Sequence, residues 1–258
     1  MKYQLNHLAD LAHKILNSNS RYVTNKKIIE RIFLLDREDN LEIRLTVIDS
    51  YYSTQMNKRL FGLEEIAEVL QNYNDDDLRN HINEFLIEPT KGVVFDLYQK
   101  KYGINKQGKL RKKAISLLSK YFYFLLKSKF PIYDDLGKAS YRLLSKNGYI
   151  EASSINEINY FKKMISLNHL TNINDFEKLD NLLWLIGKIS KGSFSILMNK
   201  EKYQSITKRI NFTGKESSKD VDLKIRNFMR ANFQHLDFFT ADEKYFLEFV
   251  FSLNNNQK

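Results

Sequence analysis

Apolar residues recur three and four positions apart through much of this chain. Leu110, Ala114, Leu117, Leu118, Tyr121, Phe122 and Leu125 form one stripe, and that spacing predicts a helix of about four turns. Leu63, Ile66, Ala67 and Leu70 repeat it, as do Leu179, Leu182, Leu183 and Ile186. Met1 to Leu16 carries an amphipathic helical pattern as well. Two prolines, Pro89 and Pro131, and nine glycines supply few breaks, so long helices are permitted almost everywhere. Start signals agree. Asn74 precedes Asp75, Asp76 and Asp77, and Thr240 with Glu243 makes a capping box. Gly187 reads as the glycine C-cap of a buried helix over 180–188. Val93 to Leu97 is the one stretch where a strand competes with a helix. Loops are expected over 35–40, 103–108, 147–154, 187–193 and 211–220.

The fold class implied is all-α. No segment repeats at a fixed period, which argues against a solenoid. At 258 residues the chain can bury a core without staples, and two packed helical lobes are expected. One spans roughly residues 44–145; the other combines 1–43 with 146–258.

With no cysteine, disulfides, thiol catalysis, zinc-finger cores and iron-sulfur clusters are all excluded. The five histidines are scattered, and His7 and His13 lack a helical metal-ligand spacing, so neither a metal nor a cofactor is expected. The amino terminus lacks the apolar core of a signal peptide, and no stretch approaches the roughly 20 apolar residues needed to span a bilayer. A cytoplasmic monomer without membrane contact is the expectation.

The charge is unevenly spread. Between Leu97 and Tyr133 lie ten basic residues and no acidic one, which equals the net charge of +10 for the whole chain. Such a local positive field is the footprint of a polyanion site. Its densest part contains Lys106, Lys109, Arg111, Lys112 and Lys113 beside Asn105 and Gly108, just ahead of the strongest helix. Backbone N–H groups and lysines arranged this way suit phosphates. A solvated helix face is the plain alternative.

Two short segments bear on chemistry. Tyr52-Ser53-Thr54-Gln55-Met56-Asn57 follows Val47 and Ile48 on a predicted helix, and Phe130-Pro131-Ile132-Tyr133-Asp134 follows the basic loop and the apolar helix, with Lys138 and Arg142 beyond it. The first resembles the Leu-Ser-x-Gln segment of helix-hairpin-helix DNA glycosylases. The second is similar to their Phe-Pro-x-x-Asp segment, particularly in adenine glycosylases. Taken alone, the second segment would read as a turn capping the next helix, through Asp134 or equally Asp135.

The resemblance spans roughly Val47 to Leu144, under half of the chain. It implies a two-lobed helical fold on double-stranded DNA, with Asp134 as the catalytic carboxylate. Gln55 would fill the gap left by an extruded base, with Lys58, Arg59, Lys138 and the basic loop on the phosphates. Tyr51, Tyr52, Tyr133 and Trp184 are candidates to hold the extruded base, and Tyr123 is a weaker one; core packing is the plain alternative for each.

The chain departs from the family in lacking Leu-Pro-Gly-x-Gly; Gly103 and Gly108 stand in a lysine-rich loop instead. The sugar-attacking lysine of bifunctional members would fall near Ser116. Lys112, Lys113 and Lys120 are neighbours, but the simpler implication is a monofunctional enzyme that leaves an abasic site, in base-excision repair or in defence against phage with modified bases. The rival reading is a DNA-binding protein that kept the fold and lost the chemistry. An acidic protein partner or a nuclease fits less well, the latter because Asp75 to Asp77 look like a helix cap.

Overall fold

A computed structural model describes residues 3–254. Among them the fold is all-helical: α1 (Leu5–Ser18), α2 (Ser20–Ile32), α3 (Arg37–Tyr52), α4 (Gly62–Gln71), α5 (Asp75–Ile87), α6 (Val93–Gln99), α7 (Ile115–Leu125), α8 (Asp135–Lys146), α9 (Tyr160–Leu170), α10 (Phe176–Ser190), α11 (Lys200–Thr207), α12 (Ser218–Asn232) and α13 (Ala241–Leu253). Met1 and Lys2, the start of the expected first helix, lie outside the described residues. None of the described helices is long and apolar enough to cross a membrane.

The capping chemistry reads directly from sequence. Asn74 and Asp77 form a reciprocal capping box on α5, and Thr240 and Glu243 form one on α13. Ser217 and Asp220 form a third on α12. Every residue of α7 from Leu117 to Leu125 is buried, as expected of a helix enclosed on all sides. α3 packs against α2, α4 and α7, while α10 packs against α1, α8 and α13. One hydrophobic core runs from Tyr3 to Leu253. The boundary expected near residue 44 falls inside α3, whereas the one at 146 coincides with the end of α8.

Local expectations are corrected at several places, among them the loop expected over 35–40, most of which belongs to α3 from Arg37 onward. The apolar stripe over 110–125 overreaches: α7 starts at Ile115, and Leu110 is 68% exposed. Residues 101–113 fold back as a tongue through isolated bridges between Lys101 and Lys113 and between Ile104 and Leu110, which takes Leu110 out of the helix. The stretch from Val93, where strand and helix competed, is a short helix. Gly187 does not end α10, which continues to Ser190. The glycine with positive φ that follows α10 is Gly192 (φ 85°).

Gly187 serves a different purpose. A Cβ there would sit 2.8 Å from Leu136 Cβ and 3.1 Å from Ser140 Oγ, so the missing side chain is what lets α10 approach α8. Ser140 Oγ donates to Leu183 O at 2.6 Å across the same contact. Gly187→Val is therefore expected to destabilise the fold by about 2–3 kcal/mol through overpacking, lowering the melting midpoint by about 5–10 °C. A thermal melt followed by circular dichroism checks this; an unchanged midpoint would mean the helices do not meet so closely.

Candidate active site and nucleic-acid interface

The segment carrying Asp134 is extended, and its side and main chains are pinned at successive positions. Phe130 is buried among Phe85, Phe122 and Phe161, with ring centroids 5.6–6.0 Å away. Tyr160 Oη donates to Ile132 O at 2.6 Å, and Tyr133 N donates to Ser119 Oγ at 2.9 Å. Lys120 Nζ donates to Tyr133 O at 3.4 Å. Asp134 then caps α8 by accepting from Leu136 N, while Asp135 instead pairs with Lys138 at 2.7 Å. The cap reading and the site reading thus meet in one side chain, because Asp134 also lines a cavity of about 560 Å³.

That cavity gathers residues distant in sequence. Tyr51, Tyr52 and Ser53 come from the end of α3; Tyr22 and Lys26 from α2; Asp180, Trp184 and Lys188 from α10. The three α10 residues are four apart and form one stripe, next to the Leu183 and Gly187 stripe that meets α8. Tyr22 and Trp184 lie 6.0 Å apart, and Lys188 Nζ sits 5.0 Å above the Trp184 ring. Aromatic walls with a few convergent polar groups are the usual make-up of a small-molecule pocket.

The electrostatics single out two residues. Lys120 is 1% exposed on α7; its ammonium donates to Ser116 Oγ at 2.7 Å and lies 5.4 Å from the Tyr52 ring centroid. Burial pushes its pKa down, opposed by the charges of Asp134 and Asp180. Burial pushes the Asp180 carboxyl up to about 7, the Asp134 charge adds to that shift, and Lys120 opposes it. A carboxyl with a shifted pKa that shares a cavity with a second carboxyl is a common feature of acid–base sites. Asp180 is not legible as a site residue from the sequence, and Lys120 is legible there only as a neighbour of the lyase-lysine position, not as a buried charge beside the carboxylates. The former sits in an ordinary amphipathic helix and the latter in an apolar stripe.

A neighbouring cavity of about 540 Å³, lined partly by Phe33, Arg79, Phe124 and Lys127, also contains Glu30 and Glu177. Both of those carboxylates are ion-paired with Lys26, which leaves the Asp134 cavity as the better-equipped site. Among the described residues, no cluster of His, Asp or Glu is suited to hold a metal.

Gln55 projects from a turn rather than a helix. α3 stops at Tyr52, and Ser53, Gln55 and Phe61 adopt φ of 50°, 63° and 62°, a region costly for side-chain-bearing residues. Buried Asp49 secures this turn by accepting from Thr54 Oγ1 and, at 2.8 Å, from Met56 N. Gln55 and Lys58 are exposed. The basic tongue docks on the same turn: Leu60 bridges Ile104, and a Cβ on Gly103 would lie 2.9 Å from both Arg59 Cβ and Leu60 O. The turn that carries Gln55 and the basic run therefore form one surface.

Not every expected cation is free on it. Lys106, Lys109, Arg111 and Lys112 are exposed. Arg59 donates to Lys112 O at 2.6 Å, holding the tongue. Lys113 pairs with Glu157 at 2.6 Å, and Lys138 with Asp135 and the Tyr133 hydroxyl. Tyr133 packs edge-on to Tyr160 with centroids 4.8 Å apart and is absent from the cavity lining, whereas Tyr51, Tyr52 and Trp184 belong to it. Tyr123 is buried in α7. Arg21, Lys26 and Lys188 supply unanticipated cations at the cavity.

The chain matches no family model, no curated protein and no solved structure.

The raised Asp180 pKa carries a stability prediction. Below its ordinary value of 3.8 the acid is protonated whether folded or unfolded. Between there and about 7 the unfolded chain has lost the proton that the folded chain keeps, so this group's contribution to stability falls as pH rises through that window. Asp180→Asn is expected to gain stability relative to the unaltered protein between about pH 5 and about pH 8, measured by denaturant unfolding at both values. Parallel behaviour of the two proteins would place Asp180 among ordinary carboxylates.

Proposed function

We propose that this protein is a DNA glycosylase that extrudes a damaged or modified base from duplex DNA and hydrolyses its N-glycosidic bond. The observation that carries the reading is the meeting of Asp134 with Tyr51, Tyr52 and Trp184 around one cavity. These residues come from three separate parts of the chain, and the sequence alone marks each of them as a candidate.

In this reading the duplex lies across the exposed lysines of the tongue, and Gln55 enters the stack from its strained turn. Base extrusion costs a few kcal/mol, returned in part by stacking on Tyr52 and Trp184. As the C1′–N bond lengthens, positive charge grows on the sugar; the Asp134 carboxylate stabilises it and orients water toward C1′. The products are a free base and an abasic site, in base-excision repair or in defence against phage carrying modified bases. The two-lobed arrangement of the helix-hairpin-helix glycosylases belongs to the same proposal, with the tongue standing in for their hairpin.

Cleavage ends there. Lys113 is ion-paired, Lys112 is exposed on the tongue, and the Lys120 amine is buried with its protons on Ser116 and Tyr133. This favours a charge-balancing amine over one that attacks the sugar.

Asp134→Asn is expected to lower free-base release by about 10²–10⁴-fold while DNA affinity holds, since an anion has been removed near phosphates. Mass spectrometry of released bases across unmodified, damaged and hypermodified DNAs measures the first, and duplex titration the second. Release equal to that of the unaltered protein would remove Asp134 from the chemistry; tight binding with no release by either protein would indicate a DNA-binding protein without catalysis. Strand breaks should appear only after alkali. Breaks without alkali, with a borohydride-trapped adduct at Lys120, would show a lyase step.

Replacing Lys106, Lys109, Arg111 and Lys112 with alanine should weaken binding at all sequences alike. It should also flatten the dependence of log affinity on log salt by about 0.9 for each phosphate that is no longer neutralised. An unchanged slope would locate the DNA elsewhere.

A further inference from the structure

Asp180 lies outside the segments that resemble glycosylase motifs, yet it lines the same cavity as Asp134. It stands one turn before Trp184 on the α10 stripe that faces the cavity, with Lys188 one turn further on. We propose that Asp180 is the general acid of this site, protonating the departing base, and that the site is built for electrically neutral bases rather than cationic ones. This rests on the glycosylase reading and adds to it a second catalytic residue and a substrate class.

The chemistry follows from the leaving group. A base alkylated on a ring nitrogen already carries positive charge and departs as a neutral molecule once the C1′–N bond breaks. A neutral base would depart as an anion unless a proton reaches a ring nitrogen, so an acid beside it contributes about 10²–10⁴-fold. For that, the acid must hold a proton near neutral pH.

The surroundings of Asp180 give it one. From α10 itself, Glu177 disfavours ionisation; from the cap of α8, Asp134 does the same. Lys120 on α7 and Lys26 on α2 oppose them, and burial outweighs the cations. Lys26 is ion-paired with Glu177 and Glu30, and Lys120 is shared with Asp134. Arg21 and Lys188 line the same cavity. Tyr22, Tyr52, Tyr123 and Tyr160 also feel the Asp180 charge, and burial pushes all four phenols up, so they stay neutral beside it.

The step balances. The Asp180 carboxyl proton moves to a ring nitrogen of the base, and the C1′–N electron pair goes to the base, which leaves neutral. Water oxygen bonds to C1′, and its proton passes to the Asp134 carboxylate. Transfer of that proton back to Asp180 through solvent resets the pair. Two carboxyl groups, one donating a proton and one accepting it, are the arrangement common in sugar-bond hydrolysis.

The test is free-base release from duplexes containing either hypoxanthine, a neutral purine, or 7-methylguanine, a cationic one, together with hypermodified phage DNAs, across about pH 5.5–8.5. For a neutral base the unaltered protein should show release falling above about pH 7 as the acid ionises. Asp180→Asn should lose about 100-fold or more on that base, lose the falling limb, and lose far less on 7-methylguanine.

A flat profile, or equal losses on neutral and cationic bases, would overturn the role of Asp180 and leave the glycosylase reading in place. Release of cationic bases alone by the unaltered protein would do the same. No release of any base would overturn both. The pH profile of the unaltered protein needs no variant, so the outcome does not depend on how Asp180→Asn folds.

Discussion

The closeness of α8 and α10 is the constraint on which the site depends. Asp134 begins one helix, and Asp180 and Trp184 ride on the other. They share a cavity because nothing intervenes at Gly187, and because Ser140 ties the helices by a hydrogen bond to Leu183 O. A helix-interior glycine costs roughly 1 kcal/mol against alanine. Here that cost accompanies an interhelical approach that no other residue would permit without displacing Leu136. Gly137 repeats the device on α8, where a Cβ would stand 2.9 Å from the Tyr160 hydroxyl that fixes the Asp134 segment.

Charge is buried around that contact at a cost that the arrangement limits without abolishing. Lys120 is enclosed in a helix that is buried from Leu117 to Leu125, yet its protons reach Ser116 and the Tyr133 carbonyl, and its charge lies among the carboxylates of Asp134, Asp180 and Asp135. Burying a cation without partners would cost several kcal/mol. Burial likewise raises the Asp180 pKa, so the feature that weakens the fold at high pH is the one that the proposed mechanism uses. In that proposal stability and chemistry pull in opposite directions at this residue.

A strained element lies at the edge of the candidate interface. Three residues with side chains, Ser53, Gln55 and Phe61, take left-handed backbone conformations within nine positions. Asp49 holds the turn from beneath, and the tongue closes over it through Leu60 and Gly103. The exposed lysines and the exposed glutamine are thereby presented together, although about fifty residues separate them in the chain. Rigid presentation of this kind lets a side chain enter a base stack without first ordering the loop that carries it.

The sequence by itself determined the helical class, since spacing of apolar residues and the helix-start signals at Asn74 and Thr240 are local properties that packing did not alter. It also singled out Asp134, Tyr51, Tyr52, Trp184 and the basic run, because each stands in a distinctive pattern of neighbours. It misjudged the start of α7 and the meaning of Gly187, where a local pattern was overridden by cross-chain contacts: the tongue bridges drew Leu110 out of the stripe, and helix approach rather than helix termination explains the glycine. Arg59, Lys113 and Lys138 looked like free cations because ion pairs and carbonyl contacts with distant partners leave no trace in composition. Asp180 was invisible for the same reason. An aspartate in an amphipathic helix is ordinary until the tertiary structure half-buries it in one cavity with another carboxylate, and the resulting free-energy cost of ionisation belongs to the pair and its surroundings, not to any stretch of sequence.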